Sequence, residues 1–290
     1  MKKLGILALA LMIQNGFAQT YRFVYQVSMK SDAQNKNDIK TENAYLDISS
    51  DKSFFYSENR IKRDSIMKNA FQSGGGRGMN RDQMESLRSN ISYSVEKDKK
   101  DQKIIFKDRL GRDNYSYEED RSMSWKILTE TTKIGEYKVQ KAETDFAGRK
   151  WTAWFTTDLP YQDGPYKFTG LPGLIVKVED ATGDYSFDLM KNYKLDALPE
   201  LNQFGSTLKV KRVNYTKQLD KFVADPVAFT MAQQSTGNGP SGIAPPMRVG
   251  GAGGPGGGRG GNQNPADLKK RMEERLKEEM KQYSNPIELK

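Results

Sequence analysis

The stretch from Trp151 to Asp180 constrains the fold most, because it places a rigid apolar loop between two clear strands. Residues 151–156 and 174–179 alternate between two faces with a period of two and are rich in aromatic and β-branched side chains, which predicts β-strands. Turn residues mark the loop between them at Pro160, Gly164, Pro165, Gly170, Pro172 and Gly173. Pro172-Gly173 suits the centre of a type II turn, in which Gly173 takes a positive φ. Since the loop is also apolar, we expect it to fold back over the sheet and to cover either the core or an apolar cleft.

The same alternation recurs along most of the chain and predicts an antiparallel meander. We count about ten strands, a usual size for one open or strongly curved sheet. The predicted strands cover residues 21–29, 44–48, 53–57, 91–95, 103–107, 113–117, 125–131, 137–142, 151–156, 174–178 and 185–189, with a weaker strand at 208–215. Helices are predicted at 59–67, 81–90 and 218–234, and a charged turn at 97–103. The expected fold is mainly β: one strongly curved antiparallel sheet with a few short helices and a C-terminal helix.

Residues 1–18 have the three-part layout of a secretory signal peptide. Lys2 and Lys3 precede an apolar run, and the small residues Gly16 and Ala18 stand at the two positions that determine cleavage. The apolar run is shorter than the ~20 residues that cross a bilayer, so we expect cleavage after Ala18 rather than a membrane-spanning anchor. No cysteine follows this site, and we therefore expect no lipid anchor. The mature protein is expected to be periplasmic or secreted.

Composition divides the mature chain into three parts. Residues 19–234 are expected to form a single antiparallel β domain. Residues 235–264 include the run GGAGGPGGGRGG, which is too rich in glycine to offset its conformational entropy and predicts a disordered linker. Asn264-Pro265 then suits the start of a helix. We predict a C-terminal helix and tail over residues 265–290.

The absence of cysteine and histidine excludes several kinds of chemistry. Zinc or copper sites built on thiolate or imidazole cannot form, and neither can Ser-His-Asp or Cys-His nucleophilic centres. The sequence has no phosphate-binding or dinucleotide-binding glycine motif, so we expect no cofactor and no enzymatic activity. The formal net charge of +9 either suits anionic envelope surfaces or simply aids solubility, and export argues against nucleic acid as a partner.

Residues 170–175, with the sequence GLPGLI, resemble the signature of the GLPGLI family. The residues around them match as well, and the similarity runs from about residue 21 to residue 193, with a further match in the tail NPIEL at 285–289. The matching flanks are 125–127, 129–133, 141–142, 146–149, 151–155 and 164–168. The resemblance implies an exported protein of a Bacteroidetes-type Gram-negative bacterium, and it implies no particular activity.

Aromatic side chains near the signature loop are the first candidates for a binding site. The loop comprises Gly170, Leu171, Pro172, Gly173, Leu174 and Ile175, and the aromatic candidates are Trp125, Trp151, Trp154, Tyr166 and Phe168. They either line an apolar or sugar-stacking cleft or form ordinary sheet core, because aromatic residues favour strands. Trp151 and Trp154 fall on opposite strand faces, so at least one of them faces away from the main core. Arg149 and Lys167 flank the loop and either hold an anionic group of a ligand or are solvated.

Four nearby carboxylates leave further possibilities open: Asp158, Asp163, Asp180 and Asp184. Aspartates in a hairpin turn are common for local hydrogen-bonding reasons. The alternatives are a Ca²⁺ site or a carboxylate pair in a hydrolase. The spacing matches no known calcium loop, and we predict no metal site.

These features favour a non-catalytic binding protein of the cell envelope that holds an apolar or amphiphilic ligand under the signature loop. The alternative is an envelope protein that acts in assembly through its basic surface and its C-terminal helix. A carboxylate hydrolase ranks third, because no nucleophile–base signature exists. The expected partner is therefore an apolar or amphiphilic small molecule or an envelope protein.

Overall fold

The computed structural model describes residues 20–72, 81–199, 206–235, 270, 273–274, 276, 280–281 and 283–289. The predicted signal peptide, nearly all of the predicted linker and most of the predicted C-terminal helix lie outside the described residues. None of the helices in the described ranges has the length and apolar character that crossing a bilayer would require.

Strands dominate the described residues, as their alternation predicts. The twelve strands are β1 Thr20–Met29, β2 Lys40–Ile48, β3 Lys52–Ser57, β4 Ser94–Asp98, β5 Lys103–Leu110, β6 Asp113–Glu118, β7 Lys126–Ile134, β8 Tyr137–Phe146, β9 Arg149–Thr156, β10 Leu174–Asp180, β11 Tyr185–Leu195 and β12 Thr207–Lys209. The helices described are α1 Glu58–Gln72, α2 Arg81–Ser86, α3 Arg212–Ala224 and α4 Pro226–Ser235. The mainly β fold class is therefore confirmed.

All twelve strands belong to one open sheet, in the order β12-β6-β5-β4-β3-β2-β1-β11-β10-β9-β8-β7. Strands β1 to β6 form one meander and β7 to β11 form another. The two meanders meet where β1 pairs antiparallel with β11. The short strand β12 pairs parallel with β6, and this pair is the exception to the predicted antiparallel arrangement.

The sheet curls so that its two meanders share one core. Strands β3 and β11 are three strand spacings apart, which corresponds to about 14 Å across a flat sheet. The ring centroids of Phe55 on β3 and Phe187 on β11 are nevertheless only 6.1 Å apart. The concave face therefore closes around a single cluster of buried side chains that includes residues of both meanders.

The region after β11 differs from its prediction. The expected strand at 208–215 ends at Lys209, and α3 begins at Arg212. The expected helix at 218–234 is two helices, because the residue before a proline is disfavoured in the helical conformation and Pro226 instead starts α4. The Asp225 carboxylate accepts a hydrogen bond from the Ala228 amide (2.9 Å) and so caps α4.

Two predicted boundaries near the site also differ. Trp125 precedes β7 rather than beginning it. Lys97 lies in β4 rather than in a charged turn, and its side chain is only 6% exposed. A run of charged residues usually marks a solvated segment, but Lys97 points to the core face, where it finds a carboxylate.

Candidate functional site

The apolar loop between β9 and β10 folds back over the concave face of the sheet, as its composition predicts. Tyr166, Phe168 and Leu171 are all buried there. The Lys97 ammonium donates to Asp163 Oδ1 (2.6 Å) and to the carbonyl oxygen atoms of Gly164 (2.5 Å) and Phe168 (2.9 Å). Burial lowers the pKa of Lys97, although the carboxylate of Asp163 acts in the opposite direction. One buried cation from the first meander thus fixes the loop of the second.

Glycine at 173 is required for close approach and not for a positive φ, so the predicted reason was wrong. A Cβ atom on Gly173 would lie 2.0 Å from the carbonyl oxygen of Thr156, which is the end of β9. The positive φ belongs instead to Gly170, at +92°. The loop therefore re-enters the sheet with its backbone pressed against the strand that it left.

The structure brings four of the predicted aromatic residues together. The ring of Phe168 lies 4.8 Å from Trp151, 5.9 Å from Tyr166 and 6.2 Å from Trp125, measured between centroids. Trp151, Tyr166 and Phe168 are almost completely buried, and Trp125 packs at the margin of the same cluster. These rings fill the space under the loop with one another.

Trp154 lies apart from this cluster. Its side chain is on the other face of β9, where it is partly exposed and the Lys141 ammonium lies 5.8 Å from its ring centroid. The predicted separation of Trp151 and Trp154 onto opposite faces is therefore confirmed.

Arg149 holds carboxylates of its own chain. Its Nη1 atom donates to Asp180 Oδ2 (2.8 Å), and Asp184 lies 3.5 Å away. Its Nη2 atom donates to Asn285 Oδ1 (2.6 Å) and to the Pro286 carbonyl oxygen (2.8 Å). Asp180 and Asp184 therefore both pair with this arginine. Within the described residues, no group of acidic side chains has the arrangement of a metal site.

Lys167 is fully buried in a second ionic cluster. Its ammonium donates to the Tyr117 hydroxyl (2.7 Å), to Glu119 Oε2 (2.7 Å) and to Glu288 Oε1 (2.5 Å). Arg121 bonds both acidic residues, through Glu119 Oε1 (2.7 Å) and Glu288 Oε2 (2.8 Å). Burial acts to raise the pKa of Glu119, but the hydrogen bond from Arg121 and the charge of Lys167 outweigh it and lower the pKa to about 2.

A cavity of about 130 Å³ lies between the sheet, α3 and the tail at 283–288. Its wall combines apolar side chains from β1, β5 and α3 with the rings of Tyr93, Tyr117, Tyr166, Tyr185, Tyr215 and Tyr283. The predicted site residues contribute only Tyr166 to this wall. The cavity is therefore beside the aromatic cluster and not within it.

Several polar residues line the cavity, among them Asp108 and Tyr93, together with Ser31, Asn90, Ser92 and Glu288. Asp108 is buried, accepts a hydrogen bond from the Tyr215 hydroxyl (2.7 Å), and has a pKa raised by burial. The Tyr93 ring stacks on Phe106, with 5.3 Å between centroids, and both residues line the cavity. The cavity thus offers a carboxylate acceptor and a hydroxyl within a largely apolar and aromatic wall.

Sequence reasoning did not identify Lys97, Glu119 or Arg121, whose partners are far away in the chain. Glu288 and Asn285 carried one signal, since both belong to the NPIEL tail that matches the family resemblance. The structure places that tail in direct contact with Tyr166 and Lys167. The two matching pieces of sequence are thus parts of one assembled site.

One segment of the chain is similar to a known protein family. Residues 143–177 match the model of a Bacteroidetes-associated family described as "Protein of unknown function (Porph_ging)". This segment spans the end of β8, all of β9, the apolar loop and the first four residues of β10. No curated protein shows significant similarity to the chain.

Among solved structures, the chain is similar to part of PNGF-II. The PNGF-II structure in space group P21 has a TM-score of 0.50 at 20% identity, covering 69% of this chain and 33% of that chain. The structure in space group C2 has a TM-score of 0.49 at 20% identity, covering 69% of this chain and 32% of that chain. This chain therefore spans about a third of the length of the PNGF-II chains it matches, and the P21 likeness shows a shared fold alone.

Proposed function

We propose that this protein is an exported, non-catalytic binding protein that holds a small amphiphilic molecule in the tyrosine-lined cavity. The observation that carries the proposal is the cavity beside Tyr166, with its largely apolar and aromatic wall and the polar groups of Asp108 and Tyr93. Binding sites for small molecules are typically concave and largely apolar, with a few polar groups that orient the ligand. The ligand lies beside the apolar loop between β9 and β10, and Tyr166 is the residue of that loop that contacts it.

The volume of the cavity limits the size of the ligand. About 130 Å³ is close to the roughly 150 Å³ of a cavity that binds benzene, and it is below the roughly 300 Å³ at which pockets for drug-sized ligands begin. The ligand is therefore one aromatic ring or a short alkyl chain. A hydroxyl or amine on it would donate to Asp108, and an acceptor would take the Tyr93 hydroxyl, so phenol is a suitable probe.

The first experiment is native mass spectrometry of the mature protein purified from its own host, followed by extraction of any bound molecule. Calorimetric titration with phenol and with benzene then tests the cavity directly. We expect phenol to bind about fivefold more tightly than benzene, because one added hydrogen bond contributes about 1 kcal/mol. Replacing Asp108 with Asn should reduce that preference.

A matched pair of variants on α3 shows whether binding occurs in this cavity. Leu219 lines the cavity, whereas Val223 lies one turn further along and does not. Leu219→Trp should fill the space and abolish phenol binding, and Val223→Trp should leave it unchanged. Equal phenol affinity in the Leu219→Trp variant and the wild type would refute the proposed site.

A further inference from the structure

The tail segment from Ser284 to Leu289 lies in a groove that fits its sequence. At one end the Asn285 amide donates to the Ser31 carbonyl (3.0 Å), and at the other the Leu289 amide donates to the Ala147 carbonyl (2.8 Å). Gly148 lies beneath the second contact, where a Cβ atom would come within 2.8 Å of Leu289 Cβ. The groove therefore runs from the end of β1 to the turn between β8 and β9.

Asn285 is recognised through every polar group it has. Its side-chain nitrogen donates to the Lys30 carbonyl (2.7 Å), and its side-chain oxygen accepts from Arg149 Nη2 (2.6 Å). Its backbone carbonyl accepts from the Tyr185 hydroxyl (2.7 Å). A carboxylate could not donate to the Lys30 carbonyl, so the groove selects an amide at this position.

Glu288 is recognised as a carboxylate. Its Oε1 atom accepts from the Tyr166 hydroxyl (2.5 Å) and from Lys167 (2.5 Å), and its Oε2 atom accepts from Arg121 (2.8 Å). The groove itself provides two cations, Lys167 and Arg121, against the single carboxylate of Glu119. It is therefore one negative charge short, and the glutamate of the tail supplies that charge inside a buried cluster.

The tail is held mainly by side chains and not by a strand ladder. Among the described residues, segment 284–289 makes only two backbone–backbone hydrogen bonds to the β domain, at Ser31 and Ala147, besides the local one from the Ser284 amide to the Lys281 carbonyl. A segment with few backbone bonds opens at a lower free energy than the sheet that carries it. The groove residues that contact the tail lie on or beside strands β1, β6, β9 and β11. These strands pair with neighbouring strands of the sheet and not with the tail.

We propose that this groove is a peptide-recognition site for a segment containing Asn-Pro-x-Glu, and that the chain's own segment 284–289 occupies it as a separable ligand. Peptide recognition by buried side-chain anchors is a common binding mode. Two anchors three residues apart, Asn285 and Glu288, set the register of the peptide. This site is defined by the tail and stands whether or not the cavity holds a small molecule.

Hydrogen exchange on the wild-type chain tests whether the tail is separable. The amides of Asn285 and Leu289 are expected to exchange at least about 100-fold faster than buried amides of β1 and β11, since their opening requires only release of the tail. If these tail amides exchange at the same rate as the sheet amides, the tail opens only with the whole fold and the proposal is wrong.

Binding in trans tests recognition. A full-chain variant with Asn285→Ala and Glu288→Gln should release its own tail and bind a fluorescein-labelled peptide SNPIELK, detected by fluorescence anisotropy. The wild type and a Glu130→Gln control, which changes an exposed charge on β7, should bind the added peptide far more weakly, because an attached tail competes at a high effective concentration.

Peptide variants measure the specificity of the groove. Changing the peptide glutamate to glutamine should weaken binding at least about 30-fold, because it removes one partner of a buried charged cluster. A scrambled peptide of the same composition should not bind. Equal binding of the native and scrambled peptides would overturn the proposal, as would a folded variant that binds neither. A dimeric wild type would mean that a second copy's tail fills the groove, and would overturn the assignment to the chain's own segment.

Discussion

Replacing Lys97 with Met tests whether one buried cation holds the apolar loop between β9 and β10 on the sheet. The substitution keeps most of the length of the side chain and removes its charge. It leaves the Asp163 carboxylate, which is 3% exposed, with only the Gly164 amide (2.8 Å) as a described hydrogen-bond donor. It also removes the donor to the carbonyl oxygen atoms of Gly164 and Phe168.

The expected cost follows from these contacts. Removing one partner of a buried ion pair costs about 3–5 kcal/mol, because the other charge stays buried and uncompensated. A domain has about 5–15 kcal/mol of stability in total, so the Lys97→Met variant should lose a large share of it. Adding Asp163→Asn removes the isolated charge, and the double variant should recover about 2 kcal/mol of the loss.

Urea unfolding followed by tryptophan fluorescence measures these changes, since Trp151 and Trp125 lie beside the loop. The control is Lys103→Met, which removes an exposed lysine whose nearest carboxylate, Glu118, is 3.7 Å away; such pairs contribute about 0.2–1 kcal/mol. A Lys97→Met variant within 1 kcal/mol of the wild type, or a double-mutant cycle without coupling between positions 97 and 163, would refute the reasoning.

Three further changes test other parts of the site. Gly173→Ala should cost at least about 2 kcal/mol in urea unfolding, because the new methyl group meets the Thr156 carbonyl at 2.0 Å; an unchanged midpoint would contradict this account. Trp154→Ala should leave phenol affinity unchanged, since this side chain lies on the face opposite the cavity. If calorimetry shows that the variant no longer binds phenol, the ligand binds in the predicted tryptophan cleft instead. Acid should release the tail: burial acts to raise the pKa of Glu288, but the charge of Lys167 outweighs it and the docked pKa is lowered. The docked tail therefore binds fewer protons than the free tail. The affinity of the groove for the tail is highest above the pKa of a free glutamate, about 4.3, and falls as the pH drops below that pKa. Anisotropy of the labelled peptide between pH 7 and pH 3 measures this, and a flat profile would disprove it.

The parts of the fold that sequence alone could predict are those governed by local alternation. The predicted strand at 151–156 corresponds to β9, and the predicted hairpin of 174–178 with 185–189 corresponds to β10 and β11. A short turn bounds β9 and another joins β10 to β11. The residues next to each turn are therefore enough to predict where these strands begin and end. The beginning of α3, residues 212–217, was not predicted, because its buried residues, Tyr215 and Phe222, are seven positions apart and were divided between a predicted strand and a predicted helix.

The site was less predictable because its contacts join distant residues. Lys97 meets Asp163 from 66 positions away, and Lys167 meets Glu288 from 121 positions away. Charged side chains beside a strand are solvated in most proteins, so nothing local distinguishes these lysines from exposed ones. Four of the five aromatic candidates do lie together, without Trp154, but their rings fill the space that a ligand would need. The cavity forms where the tail and α3 meet the sheet, and no single segment encodes that junction.

The ionic cluster around the tail fixes the register in which the tail binds more than it adds to the stability of the fold. Buried ion pairs contribute little net stability, since desolvation offsets their attraction, and apolar side chains of similar size often serve as well. A purely apolar groove, however, would accept the tail shifted by one residue, with Ile287 or Leu289 in the cavity wall. With Asn285 fixed by Arg149 and Glu288 fixed by Lys167, only one register satisfies both anchors, and that register places Pro286 and Ile287 against the cavity. Moving the glutamate by one position in the full chain should therefore leave the sheet folded, yet open the cavity to solvent and speed the association of phenol.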